Sequence, residues 1–155
     1  MDTIEAVLRD VPLFEGLTPA QLEVIAGCGS NVQFREGELL FKDRDPAESF
    51  YVLRHGSVAL ETFVPTRGSV VIETLEAGEV VGWSWLFPPY QWHFDARAVS
   101  LVRATSFDGV CLRGKCDADP ALGYALLKVL AAVFAERLQD TRLRLLDLYG
   151  ASAGD

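Results

Sequence analysis

A chain of 155 residues, half of them hydrophobic, has room for one compact domain with a sizeable core and none for a second. Its 22 acidic residues against 14 basic ones leave a net charge of -8 without any Lys/Arg-rich run, which excludes nucleic acid as the main partner, because the average surface repels a phosphate backbone. The absence of an apolar stretch of about eighteen residues, and of a basic segment followed by an apolar run at Met1–Glu5, predicts a cytoplasmic chain that neither spans nor enters a membrane.

Residues 2–9 read as a short helix, followed by the turn Pro12-Leu13-Phe14-Glu15-Gly16-Leu17. Thr18 as N-cap, Pro19 at the first helical position and Gln21 at the third form a capping-box signature for a second helix ending near Gly27. From Asn31 to Phe107 the pattern changes to short β-rich runs at 31–35, 38–42, 49–54, 57–62, 69–74 and 95–107. Turn residues separate them: Glu36-Gly37, Asp43-Arg44-Asp45-Pro46, His55-Gly56, Pro65-Thr66-Arg67-Gly68 and Ala77-Gly78. Strands at this spacing predict a sandwich or barrel. Asp108 is a candidate N-cap for a return to helix, and Asp119-Pro120 opens one long helix predicted to reach Tyr149, with Gly150 as its stop. The fold class is therefore α+β, mainly β, as a single domain over 1–155 with helices in 2–27, strands in 31–107 and helices in 108–149.

Along the long helix, Leu127, Leu130, Phe134, Leu138, Thr141, Leu145 and Leu148 recur at alternating spacings of three and four, the seam of a helix that pairs with another helix. Leu126, Val129 and Val133 form a second stripe able to face the sheet. A helix apolar on two sides has two partners, so a homodimer through this helix is predicted.

All three tryptophans fall between Trp83 and Trp92, in Val81-Gly82-Trp83-Ser84-Trp85-Leu86-Phe87-Pro88-Pro89-Tyr90-Gln91-Trp92-His93-Phe94. Indole is costly to expose, so this loop is either a local core or the wall of a pocket. Cys28, Cys111 and Cys116 cannot all pair and show no CxxC spacing, which predicts idle thiols in a reducing compartment. His55 and His93 stand far apart and supply no metal site, so no metal is expected. With no Ser-His-Asp, Cys-His or phosphate-loop signature either, the chain is not expected to be an enzyme.

The order of elements, together with Pro12-Leu13-Phe14-Glu15-Gly16-Leu17, Gly37-Glu38, Phe50-Tyr51-Val52-Leu53 and Gly56-Ser57-Val58, resembles the cyclic nucleotide-binding domain. The similarity spans residues 9–149 and is nearest to the sensor half of bacterial cAMP receptor and FNR-type regulators. It implies a β-roll of the jelly-roll kind between short N-terminal helices and one long C-terminal helix. In that family a phosphate-binding cassette reads Gly-Glu-Leu-Gly-Leu and then Arg-Ser/Thr-Ala, with the glutamate on the ribose hydroxyl and the arginine on the cyclic phosphate. Here Gly82 matches the glycine, Trp83 stands at the glutamate, Ser84 and Trp85 follow, and Trp92, His93 and Phe94 occupy the Arg-Ser-Ala segment. Both charged anchors are absent, a loss of several kcal/mol and several decades of cyclic nucleotide affinity. Arg97, an odd number of residues from Trp92, points to the opposite face of its strand. Arg44 replaces the glycine of the family's Glu-Gly-Asp turn. Thr141 stands where the family's long helix presents a hydroxyl to the base, and it equally fits the helix seam.

The candidate ligand-binding residues are thus Gly82, Trp83, Ser84, Trp85, Trp92, His93, Phe94 and Thr141, with weak cyclic nucleotide or another small planar ligand as the occupant and no cofactor. Only Ala151–Asp155 follows the long helix, too short for a helix-turn-helix, so direct DNA binding is not expected. Two functions fit: a stand-alone sensor that signals through the long helix to a protein partner, or an interaction subunit that kept the fold and filled the pocket with tryptophan.

Overall fold

The computed structural model describes residues 3–153; the predicted start of the first helix at Asp2 lies outside them. Thr3 caps helix α1 (Ile4–Asp10), its side chain accepting from the Ala6 amide. After a 3-10 turn at Pro12–Phe14, α2 (Pro19–Ala26) begins with the predicted capping box, in which Thr18 and Gln21 satisfy each other's backbone amides. Strands β1 (Gly29–Phe34), β2 (Leu39–Phe41), β3 (Ser49–His55), β4 (Val58–Val64), β5 (Gly68–Leu75), β6 (Val80–Val81), β7 (Asp95–Ala98) and β8 (Val102–Asp108) follow. Helices α3 (Gly109–Ala118) and α4 (Pro120–Ala153) close the described chain.

The strands form two antiparallel four-stranded sheets, in the orders β1-β8-β3-β6 and β2-β7-β4-β5. The single strand predicted over 95–107 is two: the chain leaves one sheet after Ala98 and joins the other at Val102, with the Val99 amide held by the Ser57 carbonyl. Val80–Val81 pairs with Val52 and Tyr51 and is too short to show a period in sequence. The turn at Asp43–Pro46 takes the left-handed conformation with arginine in the glycine's place, Arg44 having φ of 74°.

Two cores result. Between the sheets lie Phe41, Leu53, Val58, Leu60, Leu75, Val81 and Trp92. Between the first sheet and the helices lie Leu8, Phe14, Ile25, Phe50, Trp85, Phe107, Leu112 and the α4 residues Leu122, Leu126 and Leu130. That last trio, at spacings of four, defines the inward ridge of α4. Leu130 is 1% exposed, and Phe134, next on the ridge, packs against the same core. The spacing of both fits the outward seam, but packing against the roll turns them inward. Leu127, Leu138, Leu145 and Leu148 do face outward. The helix also runs through Gly150 to Ala153, since a helical glycine costs only about 1 kcal/mol and ends a helix only where it turns left-handed.

Cys28 and Cys111 are joined by a disulfide, which corrects the expectation of idle thiols. Pairing of Gly29 with Phe107 lays the end of α2 beside the start of α3, and the Cα atoms of the two cysteines sit 6.0 Å apart, within ordinary reach of the bond. Cys116 is free.

Candidate ligand pocket

Strand β6 ends at Gly82, whose φ of 92° turns the chain sharply into Trp83 and a 3-10 turn at Ser84–Leu86. A single turn of 3-10 helix thus follows the glycine. A Cβ on Gly82 would lie 2.5 Å from the Trp92 ring, so the glycine is required both by its dihedral and by this neighbour. The Trp92 amide donates to the Asp45 carbonyl at 3.0 Å and its carbonyl accepts from the Arg44 amide at 2.8 Å, which fixes the returning limb of the loop on the 43–46 turn.

The three indoles have three different environments. Trp92 is buried between the sheets and stacks on Phe41, the ring centroids 3.7 Å apart. Trp85 is fully buried in the helix-side core, stacked on Phe50 at 4.8 Å, with its backbone carbonyl bound by the Arg113 guanidinium. It lines neither cavity described below, because two residues along a 3-10 turn carry a side chain to the far side from Trp83. Trp83 is half-buried and reaches α4: Phe134 lies edge-on at 5.1 Å, and the Arg137 guanidinium carbon sits 4.9 Å from the indole centroid.

A cavity of about 460 Å³ opens between this loop, β5 and α4, lined by Leu60, Ile72, Glu73, Trp83, Phe94, Phe134, Arg137 and Thr141 among others. A smaller one of about 170 Å³ adjoins it on the cassette side, lined by Gly82, Ser84, Trp92 and His93. Leu60, Trp83, Phe94 and Arg137 belong to both walls. Of the predicted ligand residues, Gly82, Trp83, Ser84, Trp92, His93 and Phe94 thus gather in one place, Thr141 faces the larger cavity, and Trp85 alone is elsewhere. The Thr141 hydroxyl donates to the Arg137 carbonyl at 2.9 Å. Arg97 lies away from both cavities, bound to Glu61 at 3.2 Å and to the Gly37 carbonyl at 2.8 Å.

Sequence reasoning missed Arg137, Glu73 and the pocket role of Phe134. The one signal in the sequence was the position of Arg137 a helical turn before Thr141, on the same face. Its Nη2 donates to the Val80 carbonyl, whereas Nη1 is buried and has no hydrogen-bond partner among the described residues. Burial pulls the guanidinium below its ordinary range, and Glu73, Glu79 and Glu136 pull it back up. Among the described residues the ion pairs are Arg9–Glu5 and Arg97–Glu61, so none of these carboxylates contacts Arg137 directly.

Two antiparallel four-stranded sheets, short helices before them and one long helix after them define the cyclic nucleotide-binding fold. The family model of the cyclic nucleotide-binding domain matches residues 31–119, more than half of the chain, and the protein belongs to that family. A CRP-like cAMP-activated global transcriptional regulator of Mycobacterium tuberculosis is 25% identical over 145 residues, covering 94% of this chain and 63% of the relative. The chain therefore spans less than two thirds of that relative's length. A solved protein of Geobacter metallireducens assigned to the cyclic nucleotide-binding proteins is 30% identical, with a TM-score of 0.79 over 89% of this chain and 99% of that one. The N-terminal domain of a transcriptional regulator from Streptomyces coelicolor is 27% identical, with a TM-score of 0.69 over 88% of this chain and 92% of that one. The fold and the regulatory family stand on these matches. Among the described residues no helix is long and apolar enough to cross a membrane.

Proposed function

We propose that this chain is a sensor module in which a small ligand, held between the cassette loop and α4, changes how α4 lies and so signals to a protein partner. The observation that carries this is the make-up of the larger cavity: one wall is Trp83 and Phe94 of the loop, the other is Phe134, Arg137, Leu138 and Thr141 of the helix. A molecule that fills it touches both at once, which supplies the differential contact a two-state switch requires. Gly82, Ser84 and His93 line a smaller recess beside it, whose wall is otherwise mostly apolar. The outward residues Leu127, Leu138, Leu145 and Leu148, together with Tyr124, form an apolar stripe suited to pairing with a second copy, making a homodimer through α4 part of the proposal.

Cyclic nucleotide affinity is expected to be weak, since tryptophan occupies both cassette positions that carry charge in the family. A second reading, an interaction subunit without a ligand, is favoured by the Phe41–Trp92 stack, which fills the inner part of the roll. Calorimetric titration with cAMP and cGMP, paired with hydrogen exchange of α4, separates the two. Saturable binding with altered protection of α4 supports the sensor. An absence of binding up to millimolar cyclic nucleotide, and of binding by the flat anions named below, leaves the interaction subunit.

A further inference from the structure

We propose that Arg137 is the anchor for a ligand's anionic group, and that the larger cavity takes a flat, apolar molecule bearing one negative charge. The proposal rests on the pocket being a ligand site at all. A guanidinium with a buried, unpartnered Nη1 is expensive to maintain in a stable fold, because its donors have given up water for nothing. The same group is held in place on two sides, by Nη2 on the Val80 carbonyl and by the face of Trp83, so the guanidinium is positioned before anything binds. It stands where the two cavities meet and belongs to both walls.

The remaining surroundings specify the rest of the ligand. Trp83, Phe94, Phe134, Leu60 and Ile72 present flat or aliphatic surface, which suits an aromatic or fused-ring body. Glu73 shares the wall, and with Glu79 and Glu136 it surrounds Arg137 with negative charge. A singly charged carboxylate or phosphodiester is compatible with that field, and a dianionic phosphate monoester is repelled. In the family pattern the cation that meets the ligand's anion belongs to the cassette; here it is carried by α4, so anion binding acts on the helix directly.

The test uses a matched pair, 2-naphthoate and its neutral isostere 2-naphthamide, titrated by calorimetry into the full-length wild type and into Arg137→Gln and Arg137→Lys. Both compounds fit within about 460 Å³. A charge-assisted guanidinium bond predicts that wild type prefers the anion by about tenfold to a hundredfold. Arg137→Gln abolishes the preference while still binding the amide, and Arg137→Lys keeps most of it. Equal affinity of wild type for anion and amide overturns the role of Arg137 and leaves the sensor reading intact, and this comparison needs no variant to fold. Failure of both compounds and of cyclic nucleotide to bind overturns the sensor reading and the anchor with it.

Discussion

Replacing Gly82 by alanine tests the geometry of the loop on which the pocket is built. The residue has φ of 92°, where a side chain is strained by about 1–3 kcal/mol. The added Cβ would lie 2.5 Å and 2.6 Å from two Trp92 ring carbons, so the indole has to move by about 1 Å to reach contact distance. It cannot slide freely, because it stacks on Phe41 at 3.7 Å, a ring that the added Cβ also touches, and forcing it costs a further 1–3 kcal/mol or so. After subtracting about 0.4–1 kcal/mol for the stiffer unfolded chain, the net loss is about 2–5 kcal/mol, or roughly 5–15 °C in Tm for a domain of this size. Gly37 is the control: its φ of 89° is nearly the same, and a Cβ there meets nothing within 4 Å. Gly37→Ala carries the strain without the collision. Thermal melts of the two variants, followed by circular dichroism, are expected to differ by the contact contribution of about 1–3 kcal/mol. Equal losses would refute the placement of Trp92 against Gly82.

The two faces of α4 are separated by Leu130→Ala, expected to cost about 2–5 kcal/mol in denaturant unfolding, against less than about 1 kcal/mol for the outward Leu138→Ala at low protein concentration. Comparable losses would contradict the inward ridge. Thiol titration of unreduced, denatured protein is expected to find only Cys116 free, and Cys111→Ser to cost about 2–4 kcal/mol in stability. Because burial, then Asp117 and Asp119, raise the Cys116 pKa above its ordinary 9.0, the midpoint of the iodoacetamide alkylation rate against pH should lie above that value. A midpoint at or below pH 9.0 would show an unshifted thiol.

Local chemistry carried most of what was legible in the chain. The Thr18–Gln21 box, Asp108 as N-cap and Asp119-Pro120 as the opening of α4 depend on neighbours within a few residues, and each stands where its pattern put it. Features set by distant parts of the chain were not legible. Cys28 and Cys111, 83 residues apart in the chain, meet only because β1 and β8 pair. Arg137 and Glu73 share a wall because α4 lies along β5, where the Arg144 guanidinium also holds the Ile72 carbonyl. Leu130 and Phe134 satisfy a coiled-coil spacing and an inward ridge equally well, and only the packing decides between them. The tryptophan cluster marked the right loop without sorting its members, since a 3-10 turn separates Trp83 from Trp85 and a return to the 43–46 turn buries Trp92.

Among the described residues, Leu130 is the last α4 side chain fully inside the core, yet the helix continues to Ala153. At 1.5 Å per residue, Arg137 lies about 10 Å beyond that pivot and Ala153 about 35 Å. On the proposed sensor reading, α4 turning as a rigid rod about Leu130, with the Arg144–Ile72 bond released, would act as a lever with unequal arms. A sideways shift of about 1 Å where Arg137 meets the cavity therefore becomes about 3 Å at Ala153. On the proposed sensor reading, such gearing would carry a small rearrangement around one guanidinium to a partner docked on the outer turns of the helix.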